Sequence, residues 1–264
     1  MIWQAQQSDP RCLVIVDPQP RSGEDNMELD RRALELVCHA STNQASPQSL
    51  CRIYRWNTPT VTLGYFQAPN ASVPSTISGC PKIKRLTGGG AILHDLELTY
   101  SVAIPAQHSI RHDPLKLYDV VHTAIINTLA TQNVASSMRR DSSLFSGAKL
   151  SDSHQTSNDP FLCFLRHDDR DIVIGKNKVV GSAQRRRKGS ILQHGSILLE
   201  ASRYVPDVLG LRDLVPEFDA QQLSDQLAVA IAESIAPEYE ILKSDAGQRK
   251  LHQLMFTSPS ETSI

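Results

Sequence analysis

The sequence predicts one α+β domain, on three observations. Apolar residues recur with helical spacing in three separate stretches. Several short runs have the composition and alternation of strands, and they do not alternate regularly with the helices as a parallel sheet would require. No internal repeat and no shift in composition marks a linker. The domain is expected over residues 1–256, with a polar, frayed tail at 257–264. At 264 residues, 40 % hydrophobic and 21 % charged, the chain is long enough to bury a core and too apolar for wholesale disorder.

The first helix is expected over 26–38, with Met27, Leu34 and Val37 on its apolar side and Asn26 as its cap. Residues 52–56 and 60–64 read as strands separated by the turn Asn57-Thr58-Pro59. Residues 83–86 form a short extended piece running into Gly88-Gly89-Gly90. Residues 98–104 form another strand, with Tyr100, Val102 and Ile104 on one face. Asp113-Pro114 opens the clearest helix, whose stripe is Leu117, Val121, Ile125 and Leu129. Residues 135–160 are serine-rich and aperiodic and read as a long surface loop. Strands are then expected at 161–164, 171–174, 178–181 and 190–199, and a last amphipathic helix is marked by Leu223, Leu227, Ile231 and Ile235.

Composition narrows the function. Lysine plus arginine total 27 and aspartate plus glutamate 28, so the basic excess of a nucleic-acid binder is absent. No run approaches 18 apolar residues, and the N-terminus lacks the features of a secretory signal, so the chain is expected in the cytoplasm, off the membrane. The five cysteines, Cys12, Cys38, Cys51, Cys80 and Cys163, are widely spaced with no Cys-x-x-Cys pair. That argues for reduced thiols and against a thiolate metal site.

Two segments carry chemistry. In Arg85-Leu86-Thr87-Gly88-Gly89-Gly90-Ala91-Ile92-Leu93-His94, three glycines let backbone approach a ligand, or simply make a tight turn. The segment matches neither a phosphate loop nor a dinucleotide fingerprint. In Lys176-Asn177-Lys178-Val179-Val180-Gly181-Ser182-Ala183-Gln184, Lys178 enters an apolar strand. Its ammonium polarises a carbonyl or holds an anion there, or else it sits in water on an edge strand. The following Arg185, Arg186, Arg187 and Lys188 form either a solvated face or a dock for something acidic.

Together these segments resemble the lipoate–protein ligase and octanoyltransferase family, which shares its fold with biotin–protein ligases. Residues 26–30 look like that family's first helix, and Gly64-Tyr65-Phe66-Gln67 is similar to its strand ending in Gly-x-x-Gln. Residues 85–94 look like its Arg-x-Thr-Gly-Gly-Gly-Ala-x-x-His signature. Residues 178–184 look like its Lys-x-x-Gly-Ser-Ala-Gln element, and Gln193-His194-Gly195-Ser196 like the strand that follows. The resemblance implies a mixed sheet flanked by helices and an active-site lysine at Lys178. It implies substrate binding by Arg85, Thr87, Gly88, Gly89, Gly90, His94, Gly181, Ser182, Ala183, His194 and Gly195, and a narrow apolar tunnel for the acyl chain.

The family holds two chemistries. Ligases activate lipoate with ATP and Mg; transferases pass an octanoyl or lipoyl group through a cysteine thioester and need no cofactor. Cys163-Phe164 resembles the nucleophile of one transferase branch, and no cysteine follows it, unlike the other branch. The stretch 94–101 also looks more like the cysteine-dependent branch. A lysine close to Cys163 would favour the thiolate and steady the oxygen as charge develops; otherwise Cys163, between Leu162 and Phe164, is a buried structural thiol. The resemblance implies an acyl carrier protein as donor and a lipoyl domain or glycine-cleavage H protein as acceptor, with residues 185–188 steering acidic partners. ATP-dependent ligation stands as the alternative, and residues 166–171, with some likeness to the Asn-Asp stretch of ligases, keep it open.

Overall fold

The computed structural model describes residues 4–40, 48–145 and 161–256. Eleven strands form two sheets among the described residues: β1 (Cys12–Val16), β2 (Ser49–Tyr54), β3 (Thr60–Leu63), β4 (Lys82–Lys84), β5 (Ile92–His94), β6 (Glu97–Ile104), β7 (Ser137–Met138), β8 (Ile172–Ile174), β9 (Asn177–Arg187), β10 (Ser190–Leu198) and β11 (Tyr239–Leu242). The helices are α1 (Gly23–Ala40), α2 (Pro114–Ala130), α3 (Leu211–Leu214), α4 (Ala220–Ile235) and α5 (Ser244–Phe256). The eight-stranded sheet runs β11-β1-β2-β6-β10-β9-β8-β7, and β3 lies between β4 and β5 in the small one. β1 is parallel to β2 and β11, whereas β2, β6, β10, β9, β8 and β7 pair antiparallel in turn. This is the expected mixed sheet flanked by helices.

The large sheet is covered on both faces. Cys12 and Val14 of β1 enter the core under α2 and α4, whereas Leu13 and Ile15 enter the core under α1 and α5. That two-sided burial explains why β1 is a continuous apolar run with no alternation to read from sequence. The α2 stripe Leu117, Val121, Ile125 and Leu129 is fully buried against Tyr100, Val102 and Ile104 of β6. The α1 face of the same strands instead carries Thr99, Ser101, His194 and Ser196, all buried and polar. Burying so many hydroxyls and imidazoles is unfavourable unless each finds a partner, so this face is where a site belongs.

Several local expectations are corrected. Asn26 does not cap α1; the helix begins three residues earlier, where the Ser22 hydroxyl accepts the Asp25 N–H. Asn26 is fully buried inside it, its amide donating to the Arg55 carbonyl. Pro114 does open α2, but the Asp113 side chain makes no capping bond. Residues 161–164 are not a strand: Leu162 makes a single bridge to Ala91, after which Cys163–Leu165 curls into a 3₁₀ turn. Three elements fall inside the expected 135–160 loop, β7 and 3₁₀ turns at Arg139–Asp141 and Ser143–Phe145; its residues 146–160, and the expected tail at 257–264, lie outside the described residues. β1, β5, β11, α3 and α5 have no counterpart in the sequence reading.

Candidate active site

The glycine segment is folded around Arg85. This side chain is 1 % exposed and sends all its donors to nearby oxygens. Nη1 donates to the Thr62 carbonyl at 3.0 Å and to its hydroxyl at 3.2 Å, and Nε to the Thr87 hydroxyl at 3.2 Å. Nη2 donates to the carbonyls of Gly88 and Gly90 at 2.5 and 2.6 Å. The triplet is thus a loop wound on a guanidinium, with two of its carbonyls turned inward. Gly89 lies at φ +88°, where a side chain is strained. Its neighbour across the loop, Gly64, must also be glycine: a Cβ there would stand 2.0 Å from the Gly89 carbonyl oxygen.

Two matching chains lead away from Arg85. In one, the Thr62 hydroxyl meets His94 Nε2 at 2.8 Å and His94 Nδ1 meets Glu97 at 2.8 Å. In the other, the Thr87 hydroxyl meets His194 Nε2 at 2.7 Å and His194 Nδ1 meets Asp30 at 3.1 Å. Burial holds His94 below the usual histidine range despite Glu97, so its ring is neutral at pH 7. Its Nδ1–H then donates to the carboxylate, and Thr62 donates to Nε2 while accepting from Arg85. Trp56 stacks on His94 with centroids 3.9 Å apart and donates to Thr99.

Cys163 is half-buried, and its backbone N–H donates to Ala91 at 2.7 Å, fixing the turn beside the glycine loop. Its sulfur comes within 3.9 Å of the position a Gly89 side chain would take. Lys178 reaches this turn from β9: Nζ donates to the Cys163 and Arg166 carbonyls at 3.2 Å each and pairs with Asp171 at 2.9 Å. The aliphatic stem lies across Gly181, where a Cβ would come within 2.7 Å of Cε. Burial opposes the Lys178 charge, but the neighbouring negative charge, chiefly the Asp171 carboxylate, outweighs it and holds the amine above its ordinary value. Burial pushes the Asp171 carboxyl up to about 6 against the pull of Lys178, so at pH 7 the two form an ion pair. Lys178 is therefore neither in water nor on an open edge strand.

The structure thus brings Arg85, Thr87, Gly88, Gly89, Gly90, His94, Cys163, Lys178, Gly181 and His194 into one neighbourhood. It does not bring all the expected residues there. The Ser182 side chain turns to the opposite face of the sheet, bonded to His122 and Tyr100 at 2.6 Å each. Gly195 abuts Ser182 and Tyr100, where a Cβ would stand 2.4 Å from the serine hydroxyl and 2.6 Å from the ring. Ala183 pairs with His194 across β9 and β10. Arg185 lies flat on Tyr65, 4.1 Å from its centroid, with Lys84 at 5.6 Å from the same ring. Arg186, Arg187 and Lys188 are exposed at the tip of the β9–β10 hairpin. A small pocket with a cavity volume of about 30 Å³ lies beside the cysteine's neighbours, lined by Leu162, Phe164, Ala91, Leu93, Leu198 and Val205 among others, with Asp95, Glu97 and Glu200 also on its wall; it is too small to be the expected tunnel for an acyl chain.

Sequence reasoning missed Asp30, Thr62, Glu97 and Asp171. Only Asp171 carried a signal, as the acidic residue next to an apolar strand seven positions before the lysine. No helix among the described residues is long and apolar enough to cross a membrane.

Residues 23–224 match the model of the lipoyl protein ligase A/B catalytic domain. The chain is 32 % identical over 179 residues to the octanoyltransferase LipM of Macrococcus caseolyticus, covering 66 % of this chain and 60 % of that protein. It is 33 % identical over 214 residues to LipM of Symbiobacterium thermophilum, covering 79 % and 72 %. It therefore spans roughly three fifths to seven tenths of the curated relatives it matches. A lipoate-protein ligase A bound with ATP has the same fold, at TM-score 0.65, 20 % identity, and 96 % and 97 % coverage of the two chains. With the arginine-wound glycine loop and the buried lysine falling inside the matched span, the chain belongs to the lipoyl protein ligase A/B catalytic domain family.

Proposed function

We propose that this chain is a cysteine-dependent octanoyltransferase of protein lipoylation. The observation that carries the reading is the Cys163 turn, held between the glycine loop and Lys178, whose Nζ bonds the cysteine's own carbonyl at 3.2 Å. The Cys163 thiolate attacks the thioester carbonyl on an acyl carrier protein, and the carrier thiolate leaves and takes a proton. The amine of a lysine on a lipoyl domain or glycine-cleavage H protein then attacks the enzyme thioester. An amide forms, and the amine's proton returns to Cys163. Splitting the transfer makes two accessible steps of one difficult one. The donor thioester already carries the activation, so this route needs neither ATP nor Mg; the ligase alternative needs both.

Each CH₂ of the acyl chain removed from water on binding contributes about 0.8 kcal/mol. Arg185 on its aromatic platform, with Arg186, Arg187 and Lys188 beyond it, supports electrostatic capture of acidic partner proteins. All five cysteines are free, which supports a reducing, cytoplasmic setting.

The test is intact-mass analysis after mixing with octanoyl carrier protein and no ATP. The expected product is one acyl adduct, released by neutral hydroxylamine and absent from Cys163→Ala, while alanine at Cys12, Cys38, Cys51 or Cys80 leaves it in place. If Cys163→Ala still modified a lipoyl domain at the parent rate, and only with ATP, the ligase alternative would replace this reading.

A further inference from the structure

We propose that the turn at 64–67 is the docking point of the acceptor protein: Phe66 is the apolar anchor on which an acidic lipoyl domain sits, and Lys84 and Arg185, gathered on Tyr65, are the cations that hold it. This rests on the acceptor class of the reading above and adds the surface that class uses.

The turn after β3 is rigid. Gln67 closes it twice: its side-chain oxygen accepts the Gly64 N–H at 2.9 Å, and its own N–H donates to the Gly64 carbonyl at 2.9 Å. The Tyr65 N–H donates to the Thr87 carbonyl at 2.8 Å, which ties the turn to the glycine loop. Between those fixed points stand two exposed aromatics, edge to face with centroids 5.1 Å apart. Phe66 is 79 % exposed, the most exposed large apolar side chain among the described residues. Scattered apolar residues on a surface are ordinary. A rigidly held aromatic is different, because it has little freedom left to lose when a partner covers it.

Tyr65 gathers charge around that anchor. Arg185 of β9 lies 4.1 Å from its ring centroid and Lys84 of β4 lies 5.6 Å away, so cations from both sheets meet on one ring. Among the described residues neither cation has an ion-pair partner. Glu24 and Glu28 line the groove beyond Lys84, but Arg31 and Arg32 already hold Glu28. An apolar centre with a positive rim complements an acidic domain.

Position selects the acceptor over the donor. The Phe66 ring lies within 3.9 Å of the place a Gly88 side chain would take, and the Cys163 sulfur 3.9 Å from the place a Gly89 side chain would take. Anchor and sulfur therefore flank adjacent residues of one loop, and Gly89 is exposed. An acceptor lysine reaches only about 6 Å beyond its backbone on a four-carbon stem, so its domain must sit against the rim of the site. An acyl group delivered on a carrier's long prosthetic arm is under no such constraint.

The experiment titrates an isotope-labelled, unmodified lipoyl domain with the full chain by NMR, without acyl donor or ATP. Phe66→Ala is expected to raise the Kd about tenfold or more while the melting temperature stays in place. Lys84→Glu combined with Arg185→Glu is expected to raise it by a similar factor and to flatten its dependence on salt. Leu115→Ala, which trims an exposed apolar side chain on α2, keeps the Kd within about twofold. No saturable binding by the parent, parent-like binding by Phe66→Ala, or an equal loss in Leu115→Ala would overturn the surface. A loss confined to acyl carrier protein, titrated in the same way, would hand the turn to the donor and overturn it too. The titration forms no thioester, so intact docking by a chain that never acylates Cys163 would sink the transferase reading alone.

Discussion

Lys178 shows how one residue serves both fold and chemistry. Its ammonium closes three bonds in a place water does not reach, and removing it strands the buried Asp171 carboxylate. Lys178→Ala is expected to lower turnover by about 10²- to 10³-fold and stability by about 3 kcal/mol, as for other buried pairs broken on one side. Adding Asp171→Asn to that variant is expected to restore the melting temperature but not the turnover, since a neutral amide needs no cation. Recovery of both would reduce Lys178 to a structural role. Lys176, two residues away and exposed, is the control whose alanine variant keeps the parent rate.

At the scale of elements, the active loop is shaped by the end of a neighbouring strand. β3 delivers Gly64 against the Gly89 carbonyl, and the contact is backbone to side-chain position, so no rotamer change can relieve it. Gly64→Ala is expected to push the triplet off Arg85 and cut Cys163 acylation at least tenfold while shifting the melting temperature by only a few degrees. Parent-rate acylation would show that the loop need not keep this shape. Gly89→Val fails for the added reason that φ +88° strains a β-branched residue, and unchanged affinity for an octanoyl ligand in calorimetry would make the triplet a mere turn. The cysteine segment makes the same point in reverse. Phe161-Leu162-Cys163-Phe164 has strand composition, but it makes only one bridge, to Ala91, and Lys178 binds the carbonyls of Cys163 and Arg166 on either side of a 3₁₀ curl.

Across the whole molecule, buried histidine links the fold to pH. His122 sits in the α2 core between the Arg170 carbonyl and Ser182, and burial pulls its pKa down to about 4. A histidine depressed in the folded state binds its proton more readily when unfolded. Its contribution is therefore complete above about pH 6.5 and is lost as pH falls from there toward 4. The loss by pH 4 is on the order of 3 kcal/mol. Urea unfolding at pH 7.5 and pH 5 is expected to show a smaller drop in His122→Gln than in the parent. Equal drops would place the pH sensitivity elsewhere, in His94 or His108, which burial also holds low.

The sequence by itself determined the family, the glycine loop, the lysine and the cysteine, because each is a local pattern with few physical alternatives. Three glycines, a lysine entering an apolar strand and a Cys-Phe pair are all visible within a few neighbouring residues. The helical stripes of α2 and α4 were legible for the same reason, since periodicity is local and both helices bury one face. Tertiary structure alone decided the partners. Asp30 meets His194 across 164 positions, and Thr87 meets His194 across 107, distances over which no spacing rule operates. Sheet pairing also decided which side each residue faces: the Lys-x-x-Gly-Ser-Ala-Gln element reads as one motif, yet Lys178 reaches the cysteine while Ser182 joins His122 on the far face. Plain alternation would put positions 178 and 182 on one face; the irregularity where β9 pairs with β8, Ile172 opposite Val180 but Val173 opposite Lys178, breaks that period, and only the folded sheet shows it.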